Sequence, residues 1–491
     1  MNYSQFLNMI PEATLVLALI IVFCADFALH KSARKNFTLG MLTGALLLCQ
    51  LVPCFMAEPA EAFGGLYITS PIVNVMKVIL TAGTFIVVVM AQAWIASPIP
   101  AQEGENKPMR YVGEFYMLLL STLLGMYVML SSGSFLMFFL GLEMASVPMA
   151  CLVAFDKKKK DSAEAAAKYI LTATFSSGVM LFGISFIYAA TGTLYYDGVA
   201  AALTAYPSPV EIVGMVFFFS GLGFKISLVP FHFWTADTYQ GAPTPVTGYL
   251  SVVSKGAATL TLAIILVKVF GSMVAYWQPM LWVVIMLTIT VGNLMAIRQT
   301  ELKRFMAFSS ISQAGYIMLA VIGADPAASQ TALTFYVLVY VVANMSVFSV
   351  ISAVEHRAGA GTQMSAYNGL YQTNPKLAFI MTIALFSLAG IPPFAGMFSK
   401  FFVFMAGVNG QDGMPFWPYF VVFIALINTV VSLYYYLLIV KAMYIKQEAN
   451  PLPAFAHGKA INASLTICTI GIVLFGICSC IYQWIANAAG M

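Results

Sequence analysis

Long apolar runs, interrupted at intervals by short clusters of charged, Pro, Gly or Asn residues, set the pattern of this chain. About 20 predominantly apolar residues in a helix cross a bilayer, and the runs predict fourteen such helices. They fall near 11–30, 37–56, 70–96, 113–131, 134–155, 164–190 and 210–235, then 243–270, 277–297, 304–323, 329–355, 376–408, 416–446 and 460–487. No linker or soluble domain separates them, so residues 1–491 read as one membrane-embedded unit of all-α, polytopic class.

The loop charges alternate with the helix count. Loops after odd-numbered helices hold Lys31, Arg34 and Lys35; Lys107 and Arg110; Lys157 to Lys160; Arg298 and Lys303; Arg357; and Lys459. Loops after even-numbered helices hold neither Lys nor Arg, although Lys268 stands near the outer end of helix 8. Cytoplasmic loops carry the basic excess, which predicts both termini on the non-cytoplasmic side of a bacterial inner membrane.

Two helices read as interrupted. Helix 7 carries Pro230 beside an FHFW cluster, and helix 12 carries Gly390, Pro392, Pro393 and Gly396 within SLAGIPPFAGMFSK. Proline removes a backbone donor and clashes with the preceding turn, and unwound backbone at membrane depth survives only where protein or water satisfies it. Paired breaks in corresponding halves point to inverted repeats with a transport site between them. The repeats would be helices 4–8 (113–270) and 9–13 (277–446), with helices 1–3 (1–112) before them and helix 14 (460–487) after.

Composition agrees with this class: 61% of residues are hydrophobic and 9% charged, against about 25% charged in soluble domains. The net charge of +4 is small and no basic cluster is interleaved with aromatics, so nothing supports nucleic-acid binding. The N-terminus lacks a basic region and a clear cleavage site, so it reads as a retained first helix. The seven cysteines lie mostly in apolar segments, and Cys478-x-Cys480 lacks the spacing of a zinc or iron–sulfur site. There is no metal-ligand set, nucleophile–base pair or Gly-rich phosphate loop.

The candidate chemistry lies in four charges within apolar helices: Glu143, Lys225, Lys255 and Lys400. A Lys near the bilayer centre costs about 2.5–3.5 kcal/mol on insertion scales, so such residues face a wet or paired interior and mark charge pathways. A carboxylate approaching a buried ammonium stabilises its proton, and one withdrawing releases it. Glu143 and Lys225 at variable separation would therefore make a proton switch. Ser254 and Gly256 leave space and polarity beside Lys255, and Lys225 and Lys400 each stand near a helix break. Lys168 and His232 are weaker candidates for a proton inlet. Lys77 stands a turn or two inside helix 3, where its long side chain could snorkel to the interface.

The stretch FKISLVPFHFWTADTYQGAPTPVTGYLSVVSKGAA, with EAAAKYILTATFSSG, ELKRFMAFSSISQAGYIM and SLAGIPPFAGMFSKFF, resembles the antiporter-like membrane subunits of NADH–quinone oxidoreductase (respiratory complex I). GAPTPV followed by SK resembles the N type among their paralogues; the L type usually carries His at position 255 and the M type Glu at position 400. The resemblance covers nearly the whole chain and implies a fourteen-helix proton-translocating subunit. It implies that Glu143 modulates Lys225, that Lys255 is the central relay and that Lys400 is the terminal donor toward the exit. It also implies that flavin, iron–sulfur clusters and quinone belong to partner subunits, which include sibling antiporter-like chains. Multi-subunit sodium/proton antiporters and membrane-bound hydrogenases share the Glu–Lys core and remain the alternative.

Overall fold

The computed structural model describes residues 3–30, 32, 34–96, 111–157, 159–358, 361–408, 416–446, 452–456 and 458–490. Of the loop charges above, Lys31, Lys107, Arg110, Lys158 and the side chain of Arg357 lie outside the described residues.

Among the described residues, thirteen helices are long and apolar enough to cross a membrane, and two shorter apolar helices share the remaining crossing. We number these crossings in chain order. They are α1 (Ile10–Ala28), α2 (Lys35–Met56), α3 (Pro71–Ile95), α4 (Val112–Leu130), α5 (Phe135–Val153) and α6 (Lys160–Thr191). Next come α7 (Pro209–Ile226, then Phe233–Gly241), α8 (Thr244–Lys268), α9 (Val274–Ile297), α10 (Leu302–Leu319) and α11 (Pro326–Ala358). The last are α12 (Pro375–Ala389, then Ala395–Val408), α13 (Phe416–Tyr444) and α14 (Lys459–Ile477, then Ser479–Ala489). The fourteen crossings fall on the fourteen predicted ranges.

Several starts follow directly from side-chain capping, which satisfies the orphan N–H groups of a first turn. Ser208 and Glu211 form a capping box at α7, and the Glu301 carboxylate accepts from Arg304 N at 2.5 Å to start α10. At the centre of the bundle, every residue of α10 but Arg304 is buried, and α8, α11 and α3 are buried over most of their length. The rim helices α1, α2, α13 and α14 turn apolar side chains outward, as lipid-facing helices do.

Both predicted breaks exist, and side chains satisfy the freed backbone. At the α7 break the Phe224 carbonyl accepts from Trp234 Nε1 (2.9 Å), and Val229 N donates to Thr288 Oγ1 (3.0 Å). At the α12 break Gly396 N donates to Ser387 Oγ (3.2 Å). Gly390 ends the first half of α12 at φ +89°, a left-handed conformation that glycine adopts without strain.

Three expectations need correction. Helix 8 was expected continuous, but a π-helical turn at Leu250–Ser254 interrupts it just before Lys255; Gly256 there lies so close to Val337 that the helices pack almost backbone to side chain. Helix 14 is broken at Cys478. Lys77 does not snorkel: it is 0% exposed and its Nζ lies 2.6 Å from Glu12 Oε1. Snorkelling assumes a helix facing lipid, whereas α1 brings a counter-charge onto this face of α3.

The ends of the bundle sort as the charge alternation requires. At one end Arg304 and Lys168 both reach Asp237, and Thr244 donates to Glu355. These groups join the starts of α6, α8 and α10 to the ends of α7 and α11. At the other end Tyr67 of the loop between α2 and α3 meets Glu12, and Lys268 pairs with Asp197 at 3.0 Å. Lys268, at that end, is thus neutralised locally.

Candidate functional site

Glu143 owes its direction to tight packing elsewhere on α5. Gly141 and Gly125 let α5 and α4 touch backbone to backbone: a Cβ on Gly141 would meet Met129 N at 2.4 Å. At 3.6 residues per turn, a side chain two positions on points to roughly the opposite face. Glu143 accordingly faces α6, where its Oε1 accepts from Ser177 Oγ at 2.5 Å. It is half-buried, not buried, and the neighbouring Leu140, Met144 and Val147 are exposed.

Lys225 stands in the last turn before the α7 break, where the negative end of the half-helix dipole favours a cation. It is 7% exposed, and its Nζ donates to Tyr169 OH on α6 at 2.9 Å. Glu143 and Lys225 do not contact each other in this structure. Both groups dock on α6, through residues eight positions apart, a separation of about 12 Å along the helix at 1.5 Å per residue. Helix α6 therefore holds each by a neutral hydroxyl.

Lys255 follows the π turn and lies at the centre of the bundle, 2% exposed. Its Nζ donates to Ser310 Oγ of α10 (2.8 Å) and lies 5.4 Å from the Tyr239 ring centre. The Tyr239 hydroxyl meets the same Ser310 at 3.4 Å, so one small residue joins α7, α8 and α10. Between Lys225 and Lys255 stand three aromatic rings. Tyr169 packs on Trp234 at 5.2 Å and Trp234 on Tyr239 at 6.4 Å between centroids.

From Ser310 the polar line continues along α10. Ser309 hydrogen-bonds Tyr436 of α13 at 2.5 Å, and Gln313 Nε2 donates to the same hydroxyl at 3.2 Å. Gln313 also donates to the Leu388 carbonyl at the α12 break (3.2 Å). Lys400 Nζ caps the adjacent Ala389 carbonyl at 3.0 Å, so a cation sits on the negative end of the first half of α12. A void of about 10 Å³ beside Lys400, lined by Gln313, Tyr336, Ser387 and Ser399, is about the size that holds one water. Lys225 and Lys400 lie on opposite sides of their breaks, one before Pro230 and one after Pro393.

Lys168 is half exposed and pairs with Glu164 and Asp237, both at 2.8 Å. Arg304 reaches the other Asp237 oxygen at 2.6 Å. These groups line a cavity of about 300 Å³ that opens at the basic end. His232, buried at the start of the second half of α7, stacks on Phe233 at 4.5 Å. Sequence reasoning missed Tyr169, Asp237, Tyr239, Ser310, Gln313 and Tyr436. The readable signal was SSISQ inside an otherwise apolar helix; the tyrosines gave none, because a Tyr in an apolar run reads equally well as core. Among the described residues no group of three or more His, Cys, Asp or Glu side chains is placed to hold a metal ion.

The family model for the NADH:quinone oxidoreductase/Mrp antiporter transmembrane region matches residues 132–432, a span that contains Glu143, Lys225, Lys255 and Lys400. NADH-quinone oxidoreductase subunit N of Phocaeicola vulgatus is 52% identical over 489 residues, covering 100% of both chains. The chain belongs to the subunit N family of NADH-quinone oxidoreductase. Within that family, NAD(P)H-quinone oxidoreductase subunit 2 of Synechococcus sp. is 34% identical across 93% of this chain and 87% of its own. A chain of respiratory complex I from Thermus thermophilus with bound aureothin is 28% identical, with a TM-score of 0.74 over 95% of this chain and 97% of that one. A chain of the Mrp complex from Dietzia sp. aligns over 100% of this chain and 97% of its own, with TM-score 0.82 at 20% identity, a likeness of fold alone. Backbone likeness thus extends beyond the family to which sequence identity assigns the chain.

Proposed function

We propose that this chain is a proton-translocating subunit of a respiratory NADH–quinone oxidoreductase in a bacterial inner membrane, with its basic end toward the cytoplasm. Protons enter at the Lys168–Asp237–Arg304 cavity, reach Lys255, pass along α10 and Tyr436 to Lys400, and leave from there. Glu143 sets the proton affinity of Lys225 through movement of α6, since two hydroxyls of that helix hold the pair. The hop from Lys225 to Lys255 passes three aromatic rings and calls for water between them. Quinone reduction and the flavin and iron–sulfur chemistry belong to partner subunits, which drive this one mechanically or electrostatically.

The observation that carries the reading is the buried line of three ammonium groups, each donating to a neutral acceptor and none to a carboxylate. A buried cation without a paired anion is expensive, and an architecture that keeps three of them in file is suited to passing a proton. Lys225→Ala tests it. The assembled complex is expected to remain present, recovered with its flavin and iron–sulfur subunits, and to lose proton pumping measured by dye quench in vesicles during NADH oxidation. Full pumping by the assembled variant would sink the relay. Recovery with only small hydrophobic subunits would instead favour a sodium/proton antiporter.

A further inference from the structure

We infer that a groove at the basic end of the bundle binds the phosphate headgroup of an anionic phospholipid. The groove lies between the last turn of α13 and the segment where residues 299–302 pair with 362–365. Met364 N donates to the Thr300 carbonyl and Leu302 N to the Thr362 carbonyl, both at 2.8 Å, so its floor is a stiff backbone ladder. Its volume is about 460 Å³, within the range of small-ligand sites.

Its chemistry is one-sided. The walls are mostly apolar, Lys441 and Lys446 stand exposed at the rim, and among the described residues no carboxylate lines it. Tyr367, 1% exposed, also lines the groove, and its buried hydroxyl has no hydrogen-bond partner. Two ammonium groups and an unused O–H donor match a phosphate diester. Buried donors are normally satisfied, so the orphaned hydroxyl points to a missing acceptor.

Position selects a lipid over a free anion. Leu438 belongs both to the groove wall and to the exposed apolar face of α13, with Val430, Tyr434 and Leu437. Acyl chains can lie along that face while the headgroup enters the groove. The stacked pair Tyr371–Tyr444, 4.6 Å between centroids, sits beside it at the level where aromatic residues mark the membrane interface. Basic pockets between helices at the cytoplasmic edge suit anionic headgroups. The end of the bundle is the one carrying Arg298 and Lys303.

The test uses the intact purified complex in phosphatidylcholine vesicles doped with photoactivatable phosphatidylglycerol, followed by peptide mapping. Labelling of the α13 end is expected, competed by unlabelled phosphatidylglycerol and not by phosphatidylcholine. Lys441→Gln and Lys446→Gln, at exposed positions that do not threaten folding, should each raise the half-labelling concentration about fivefold, the share of one Lys near an anionic surface. Tyr367→Phe should weaken labelling without changing assembly. Equal competition by phosphatidylcholine, or labelling indifferent to both Lys changes, overturns the inference. Competition by inorganic phosphate alone would make it a free-anion site and refute the lipid. Absence of labelling here, as when a neighbouring subunit covers the groove, refutes it too.

Discussion

Lys77→Met removes a charge that nothing else in the bundle can replace. Lys77 Nζ lies 2.6 Å from Glu12 Oε1, with both side chains inside the protein. At that distance and an effective dielectric of about 20, the attraction is on the order of 6 kcal/mol. Glu12 keeps the Tyr67 hydroxyl, donating at 3.0 Å, in wild type and variant alike, so that bond does not offset the loss. Desolvation takes back part of the attraction, and the usual loss on breaking one side of a buried pair is about 3–5 kcal/mol. Unfolding entropy scales to about 1 kcal/mol/K for 491 residues, so the midpoint of thermal unfolding should fall by about 3–5 °C. The assay is fluorescence-detected size exclusion of the tagged complex after heating. Glu12→Gln with Lys77→Met leaves no buried charge at this pair, so the double variant should recover part of the loss. A Lys77→Met midpoint equal to wild type, or a double variant whose loss equals the sum of the singles, would refute the reasoning.

Other perturbations address the path itself. Gly390→Ala forces a side chain into φ +89° and puts a methyl 3.1 Å from Lys400 Cδ; it should cost about 1–2 kcal/mol and lower pumping, read by thermal midpoint and dye quench together. Tyr436→Phe takes the hydroxyl shared by Ser309 and Gln313, and pumping should fall severalfold in a complex that still assembles; unchanged pumping would take this link out of the path. Asp237→Asn removes the carboxylate that Lys168 and Arg304 share, leaving Lys168 on Glu164 and Arg304 on Gln240 at a partly exposed site, so stability should change by less than about 1 kcal/mol. Proton uptake from the basic side should slow, and a variant with normal uptake kinetics would remove the cavity from the route.

The sequence reading succeeded where the physics is local. A run of apolar residues must form a helix in lipid because its backbone has no other partner, so fourteen crossings could be counted without coordinates. Pro230 and the Gly390–Pro393 cluster announce breaks because they remove donors or permit unusual dihedrals. The π turn at Leu250–Ser254 and the break at Cys478 contain no proline to mark them. Lys77 was misjudged because whether a Lys reaches the surface or a partner depends on what lies across from it, and here that is Glu12, sixty-five positions away in the chain.

The charges themselves, their number and their rough depth were properties of the chain alone, because hydrophobicity and charge add along a sequence. Their pairing was not. Only the tertiary structure showed that Glu143 and Lys225 dock on different hydroxyls of α6 and that Ser310 joins Lys255 to Tyr239. It alone showed Lys400 resting on a carbonyl freed by its own helix's break. Such contacts depend on which helix faces which, and that is decided by close packing at small residues such as Gly125 and Gly141, over distances that no sequence period encodes.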